Sequence, residues 1–358
     1  MQEKKIALIG TYPPPYGGIS IHIKRLKNKL EKNGFKCIVY SFSMETYVDA
    51  NVKTINNPIK WIVSYLITND DDIIHLHAPD WRLRFILSLM AIFNKRVIIS
   101  IHGDSLNDAL KSNYIKKLLV KFSIRYSSTV IAVNTKIRDL CLEIGVKPNR
   151  LYLISPFIPP KLDDNDLKLI PNEVNKFIKD HDPIISVNAF KLVFYKGEDL
   201  YGLDMCVDLC NHLKSTYKKI GFIVSIPEIG NYEYFNELIE KIDKKDLRNN
   251  FFFKTDKLSF YPIIYKSDIF LRPTNTDGDA VSIREALYFN VPTVTSDVVP
   301  RPEGTILFKN RDINDLTVKV LEVLKNYEFY KNKMEISNKV DNFEKIVDVY
   351  KKLIIRGE

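Results

Sequence analysis

Short apolar runs alternate with helical patterns along this chain, stop at a proline-rich interruption, and then start again. That double alternation constrains the fold more than any other feature. The first run, KIALIG at 5–10, is brief, apolar and closed by a glycine, as expected of a strand buried on both faces of a parallel sheet. After it, Ile19, Ile23, Leu26 and Leu30 recur at helical spacing, and Gly34 supplies the stop. Further strands are predicted at 36–42, 73–77, 96–101, 129–133 and 151–155, with helical stretches between them. Pro156, Pro159, Pro160 and Pro171 then bracket a polar stretch around 163–166. Strands resume at 183–190, 220–226, 250–254, 268–272, 292–296 and 304–308. The tail over 341–355 sets Phe343, Ile346, Val347, Tyr350 and Leu353 on one helical face.

Strands that alternate with helices imply parallel α/β sheets covered on both faces. The predicted organisation is a Rossmann-like domain over 1–160, a linker over 161–182 and a second Rossmann-like domain over 183–335. A C-terminal helix over 336–358 is expected to pack back on the first domain. A chain of 358 residues is long enough for two such cores. In open α/β sheets ligands bind outside the carboxyl ends of the strands, so the loops there are where chemistry is sought.

The charge balance narrows the partners. Lys and Arg number 53 against 44 Asp and Glu, a net charge of +9, which favours phosphorylated ligands, an anionic membrane or nucleic acid. No zinc-finger spacing or other nucleic-acid motif accompanies the charge, so nucleic acid is not expected. Cys37, Cys141, Cys206 and Cys210 form no CxxC and read as buried thiols of a reducing compartment. The start runs straight into a strand, and no apolar run approaches the ~20 residues of a membrane span. A cytoplasmic protein is expected, able to touch a membrane but not to cross it.

Five stretches could carry chemistry. The loop Pro13-Pro14-Pro15-Tyr16-Gly17-Gly18 joins the first strand to a helix, where glycines admit close backbone approach and free N–H groups favour an anion. It is not GxGxxG; a tight turn without a ligand is the alternative. The segment from Arg272 to Pro292 contains Asp277, Gly278, Asp279, Ala280, Val281, Ser282 and Glu285. A helix is predicted to start at Val281 or Ser282, so N–H groups over 278–282 could hold a phosphate and Glu285, in the first turn, could accept ribose hydroxyls. Capping by acidic residues is the alternative there. His102 ends a strand in SIHGDS. His75 and His77 are expected to face opposite sides of their strand, at least one in the core, with no metal shared between them. In the fourth stretch Lys191, Lys196-Gly197 and Tyr201-Gly202 follow a strand end. In the fifth, over 111–126, Ile115, Leu118, Leu119 and Phe122 align on a helix flanked by Lys116, Lys117, Lys121 and Arg125. This basic amphipathic helix suits an anionic membrane surface or an ordinary core face.

Read together, YPPPYGGIS at the start, DIIHLH at 72–77, ISIHGDS at 99–105 and the long DGDAVSIREALYFNVPTVTSD segment resemble the retaining glycosyltransferases of family 4, over nearly the whole chain. The resemblance implies the GT-B architecture, two Rossmann-like domains facing each other across a cleft. It implies transfer of a hexosyl group from a nucleoside diphosphate sugar to a glycan or lipid-linked acceptor, with retention and without a metal. The last segment matches the family's Glu-x7-Glu element, with Asp277 in the first position and Glu285 in the ribose-binding second. The resemblance further implies contact of His102 with sugar or acceptor, and donor contacts from Gly17 and Gly18. The family's pyrophosphate cations, an Arg followed by Lys-Gly, correspond to Lys191 and to either Lys196-Gly197 or Tyr201-Gly202; in the second alignment the lysine is missing and Lys196 must reach in from its loop. Asp70-Asp71-Asp72 and Asp277-Gly-Asp279 are not expected to bind metal. Richness in Lys, Asn and Ile suggests an AT-rich bacterial genome and a role in surface-polysaccharide synthesis. A nucleotide-sugar epimerase and a non-catalytic binding protein of the same fold stay open as alternatives.

Overall fold

The computed structural model describes residues 4–14, 17–103, 105–162, 164–256, 258–277, 280–336 and 341–355. The chain forms two compact units, one of 1–158 with 341–358, the other of 159–340.

Unit 1 is built on strands β1 (Lys5–Gly10), β2 (Lys36–Ser41), β3 (Val52–Thr54), β4 (Ile73–Leu76), β5 (Val97–Ile101), β6 (Thr129–Ala132) and β7 (Leu151–Leu153). All pair in parallel, in the order β3-β2-β1-β4-β5-β6-β7. The helices between them are α1 (Gly18–Lys32), α2 (Pro58–Thr68), α3 (Trp81–Ile92), α4 (Ser105–Leu110), α5 (Tyr114–Tyr126) and α6 (Thr135–Ile144). Side chains of α2, α3, α5 and α6 share one core with Ile74, Ile99 and Val130, while α1 packs in the other with Leu8, Ile73 and Ile98. β1, β4 and β5 are buried on both faces, which is why they read as near-continuous apolar runs.

Unit 2 carries β8 (Ile184–Asn188), a hairpin of β9 (Phe194–Tyr195) and β10 (Glu198–Asp199), β11 (Gly221–Ser225), β12 (Phe251–Lys254), β13 (Ile269–Arg272), β14 (Thr293–Ser296) and β15 (Ile306–Phe308). Hairpin apart, the strands form a six-stranded parallel sheet in the order β12-β11-β8-β13-β14-β15. Its helices are α7 (Asp164–Leu167), α8 (Asn172–Asp180), α9 (Leu203–Leu213), α10 (Tyr232–Lys244), α11 (Tyr261–Tyr265), α12 (Val281–Tyr288), α13 (Ile313–Lys325) and α14 (Tyr327–Ile336). The last helix, α15 (Phe343–Ile355), belongs to unit 1, where its five predicted face residues join the α1 core.

Residues 161–182 are not the bare connector expected from their prolines and charges. They belong to unit 2, and Ile170 and Val174 on and before α8 are buried with Ile184, Ile223 and Ile263. The apolar spacing there is real but short and diluted by charge. β3 and the β9–β10 hairpin lie outside the predicted strands, and at two or three residues each they are too brief for a pattern.

The strand orders place the topological switch points. The order reverses between β1 and β4 in unit 1 and between β8 and β13 in unit 2. Loops leaving those strands in opposite directions open a crevice at the carboxyl edge.

Candidate functional site

In unit 2 the switch point is framed by Asn188, which ends β8, and Arg272, which ends β13. The Arg272 guanidinium spans the two, its Nη1 donating to the Asn188 backbone oxygen at 2.8 Å and to its Oδ1 at 3.1 Å. The same guanidinium meets Asp277, with Nε 3.1 Å from Oδ2 and Nη2 3.3 Å from Oδ1. Arg301 approaches from the far side, Nη1 2.8 Å from Oδ2, and ties itself to Thr274 Oγ1, Ser296 Oγ and the Ser296 backbone oxygen. All three are nearly closed off from solvent, with side-chain exposures of 10% for Arg272, 9% for Asp277 and 1% for Arg301. Burial alone would raise the Asp277 pKa, but the two guanidinium groups outweigh it and hold the carboxyl below its usual range. The loop 273–277 is therefore fixed by charge. The Arg272 guanidinium also lies over the Tyr201 ring, 5.1 Å from its centroid.

The loop leads to α12, which starts at Val281 with Ala280 as N-cap. Ser282 and Glu285 are buried. Glu285 falls just past the first helical turn, one step later than expected, because the helix opens at Val281. Gly278 and Asp279 lie outside the described residues.

The lysines occupy different settings. Lys191 is half-exposed, 3.6 Å from Glu228. Lys196 and Gly197 form the tip of the β9–β10 hairpin, both at positive φ, 54° and 81°, the backbone of a tight two-residue hairpin turn. Tyr195, Lys196, Glu198, Asn275, Asn310 and Arg311 line a recess of about 370 Å³ beside it. Gly202, the other candidate glycine, opens α9 at φ 69°, and a Cβ there would sit 2.3 Å from the Pro273 backbone oxygen. Asp199 fixes this turn, accepting from the backbone N–H of Tyr201 at 2.9 Å and of Leu203 at 2.7 Å, and from the Tyr234 hydroxyl at 2.9 Å.

In unit 1 the loop after β1 reaches α1 through Gly17, at an extended φ of −150° that any residue adopts. Its N–H donates to Ser20 Oγ at 2.8 Å, and Gly18 is the exposed first residue of the helix. Glycine at 17 leaves open space rather than relieving strain. At Gly10, by contrast, a Cβ would meet Ile23 Cδ1 at 2.6 Å and His77 Cβ at 3.2 Å.

His75 and His77 do not face opposite sides of β4. Two residues apart along a strand, they share a face, and their rings lie 4.0 Å apart. His75 is a satisfied core residue, Nδ1 2.6 Å from the Tyr350 hydroxyl and Nε2 2.8 Å from Ser100 Oγ. His77 meets His102, Nδ1 to Nε2 at 3.1 Å. His22 from α1 completes the group, its ring centroid 5.1 Å from His77 and 5.5 Å from His102. Burial depresses the pKa of every ring, that of His22 to about 4, so all are neutral at pH 7. The buried Arg84 donates to Ser105 Oγ at 3.0 Å, while its Nε and Nη1 meet no acceptor among the described residues. Burial lowers its pKa to about 10, still charged at neutral pH.

Sequence reasoning named Asp277, Glu285 and His102 as candidates but did not name Arg272, Arg301 or Asp199 as residues that hold the loops, nor His22 as a neighbour of His102. Spacing gave a faint signal only for Arg272, five residues before Asp277 at a strand end.

Residues 16–162 match Glycosyltransferase Family 4. An uncharacterized glycosyltransferase of Methanocaldococcus jannaschii is 23% identical over 96% of this chain and 95% of its own length. Among solved structures, Anabaena HepE in complex with UDP and glucose superposes with a TM-score of 0.68 at 13% identity, covering 99% of each chain. A glycosyltransferase from Rickettsia africae gives 0.69 at 15% identity, again over 99% of each. With two parallel α/β units and switch-point loops, the chain has the GT-B fold of these glycosyltransferases, and its residues 16–162 carry the likeness to family 4.

Proposed function

We propose that the chain moves a hexosyl group from a nucleoside diphosphate sugar to a hydroxyl of a glycan or lipid-linked acceptor, with retention at the anomeric carbon and no metal on the donor diphosphate. The observation that carries this reading is the buried Glu285 on α12, next to a loop locked by Arg272, Asp277 and Arg301 at the switch point of unit 2. HepE, of the same fold, holds UDP and glucose in its crystal. In the proposed complex Glu285 accepts the ribose hydroxyls, and the N–H groups over 278–282 with Lys191 and Lys196 face the diphosphate. Asp277 and His102 are assigned to the sugar, His102 alternatively to the acceptor. Retention then needs no protein nucleophile: the leaving phosphate takes the acceptor's proton on the face where the glycosidic bond breaks. The protein's share is positioning and stabilisation of the leaving diphosphate's charge.

Thermal melting against UDP-, GDP-, ADP- and dTDP-sugars, with and without EDTA, tests the donor. One nucleotide sugar is expected to raise the melting temperature selectively, with EDTA making no difference. Glu285→Gln should weaken that donor by about 1–3 kcal/mol, the loss of a charged acceptor. Equal affinity in both proteins would remove Glu285 from the site.

A peripheral membrane contact is part of the proposal, supported by α5. The predicted apolar face of that helix is split: Leu119 and Phe122 are half-buried, Phe122 against Phe85 of α3, and the other two positions face outward. Val120 and Ile124 enter the core, whereas Ile115 is 69% exposed and Leu118 is exposed beside Lys117 and Lys121. On the same face of the sheet, α2 leaves Ile59, Val63, Leu66 and Ile67 exposed. Among the described residues no helix is long and apolar enough to cross a membrane. Co-sedimentation with vesicles containing anionic lipid is expected, its affinity falling about 30-fold or more for a Lys117→Glu, Lys121→Glu double variant, at about 1 kcal/mol per basic residue removed from the surface. Equal binding to neutral vesicles would discard the electrostatic contact.

A further inference from the structure

The histidine group of unit 1 is built from three separate elements: His22 from α1, His77 after β4 and His102 after β5. One ring nitrogen from each falls within 4.8 Å of the other two. His77 is almost wholly buried, and its Nε2 has no hydrogen-bond partner among the described residues. Orphaned polar atoms in a closed interior cost about 1–3 kcal/mol each, so a sequence that keeps one usually has something to set against it. Whichever of His77 and His102 donates in the bond between them, Nε2 of His77 is left with a lone pair or a proton unmatched. The His22 ring is already oriented: its Nδ1 lies 2.5 Å from the Pro156 backbone oxygen. That contact makes Nδ1 the protonated nitrogen and leaves Nε2 as a lone pair, the arrangement by which a backbone carbonyl sets a metal-binding imidazole.

We propose that His22, His77 and His102 form a three-imidazole site for a transition-metal dication of the Zn²⁺ class, with a fourth position for solvent or an anionic ligand. Three neutral nitrogen donors with one open position suit Zn²⁺, and the buried rings are neutral without having to lose a proton. Zinc–nitrogen bonds of about 2.0–2.1 Å place tetrahedral donors roughly 3.4 Å apart, so the widest pair must close by about 1.5 Å. His102 is the ring with room to do so. It is only partly buried, and Gly103 beside it sits at φ 59°. Arg25 acts on His22 and Arg84 on His102 with positive charge, which disfavours a bare dication and favours an anion as its fourth ligand. The buried Nε and Nη1 of Arg84 are themselves without acceptors among the described residues, and an anion held on the metal would compensate their charge. All three ligands come from unit 1, whereas the donor diphosphate is assigned to unit 2, without a metal.

Untagged full-length protein, stripped with chelator, is titrated with Co²⁺ and the visible bands of four-coordinate cobalt are followed; Zn²⁺ then competes. One equivalent is expected to bind, Zn²⁺ displacing it. His77→Gln and His22→Gln should each lower affinity about 100-fold or more, beyond the effect of losing an outer-shell partner. His212→Gln, on α9 of unit 2, should leave it unchanged. Circular dichroism and melting certify folding, and because His22 lies on a helix, its variant remains interpretable should the His77 variant melt early. Absence of four-coordinate bands in folded wild type, or equal cobalt affinity in wild type and the His22 variant, overturns the site. Donor stabilisation measured on the same samples reports separately on unit 2.

Discussion

Asp277→Ala should destabilise unit 2 by about 3–5 kcal/mol, because it removes the one carboxylate seen between two guanidinium groups that solvent barely reaches. Among the described residues, Arg301, at 1% exposure, is then left with hydroxyls and a backbone oxygen to receive its charge. Asp277→Asn keeps the shape and some acceptor capacity, so its loss should be smaller but clear. The pair of variants separates charge from packing. Unit-resolved unfolding, by tryptophan-independent dichroism or hydrogen exchange over β13 and β14, is the measurement. A loss below about 1 kcal/mol in the alanine variant would mean that the arginines relax to water. The pH dependence has a definite sign. The folded-state pKa of Asp277 is depressed, so its contribution is present above the ordinary carboxyl value of 3.8. It is lost progressively as pH falls through that value and on through the lower folded one. In Asp277→Asn that acid-side loss should be reduced.

The parallel strands were legible because double burial leaves a continuous apolar run with a turn residue at its end. β1, β8 and β13 each lie where KIALIG, PIISVNAF and DIFLR place them, within a residue or two. α15 was legible for a related reason: its five apolar positions match one helical face, and all five are buried. Failures came where apolar spacing did not report burial. On α5 the stripe of Ile115, Leu118, Leu119 and Phe122 reads as one face, yet Ile115 and Leu118 are exposed, Leu119 and Phe122 half-buried, and the core is met by Val120, Ser123 and Ile124. Periodicity states that a helix has an apolar face but not what covers it. The linker failed the other way, with α8 hiding a buried Val174 among charges. At the candidate site, residue types and order along the chain pointed to Asp277, Glu285 and His102. Partners such as Arg301, 24 residues from Asp277, and His22, brought to His77 and His102 from another element, depend on the sheet order and could not be read from spacing.

Gly202 offers the other large effect, and it connects the backbone to the loop just described. In Gly202→Ala the new Cβ would lie 2.3 Å from the Pro273 backbone oxygen and 3.1 Å from its carbonyl carbon, at a φ of 69°. The left-handed backbone costs a non-glycine residue about 1–2 kcal/mol, and forcing rigid backbone apart adds roughly 1–3 kcal/mol more. Asp199 prevents an easy escape, since its carboxylate holds the N–H groups of Tyr201 and Leu203 on either side. A destabilisation of about 2–5 kcal/mol is expected. Gly197→Ala is the control: its φ is 81°, but a Cβ there meets nothing within 4 Å, so only the backbone share of about 1–2 kcal/mol should appear. Pro273 directly follows β13 and precedes the Thr274–Asp277 contacts, so the clash pushes on the loop that leads to α12. Donor affinity should therefore fall in Gly202→Ala, measured at a temperature where it is folded, and stay near wild type in Gly197→Ala. Equal stability of the two alanine variants would show that the α9 turn can move away from Pro273, and the proposed rigidity of the donor loop would fall with it.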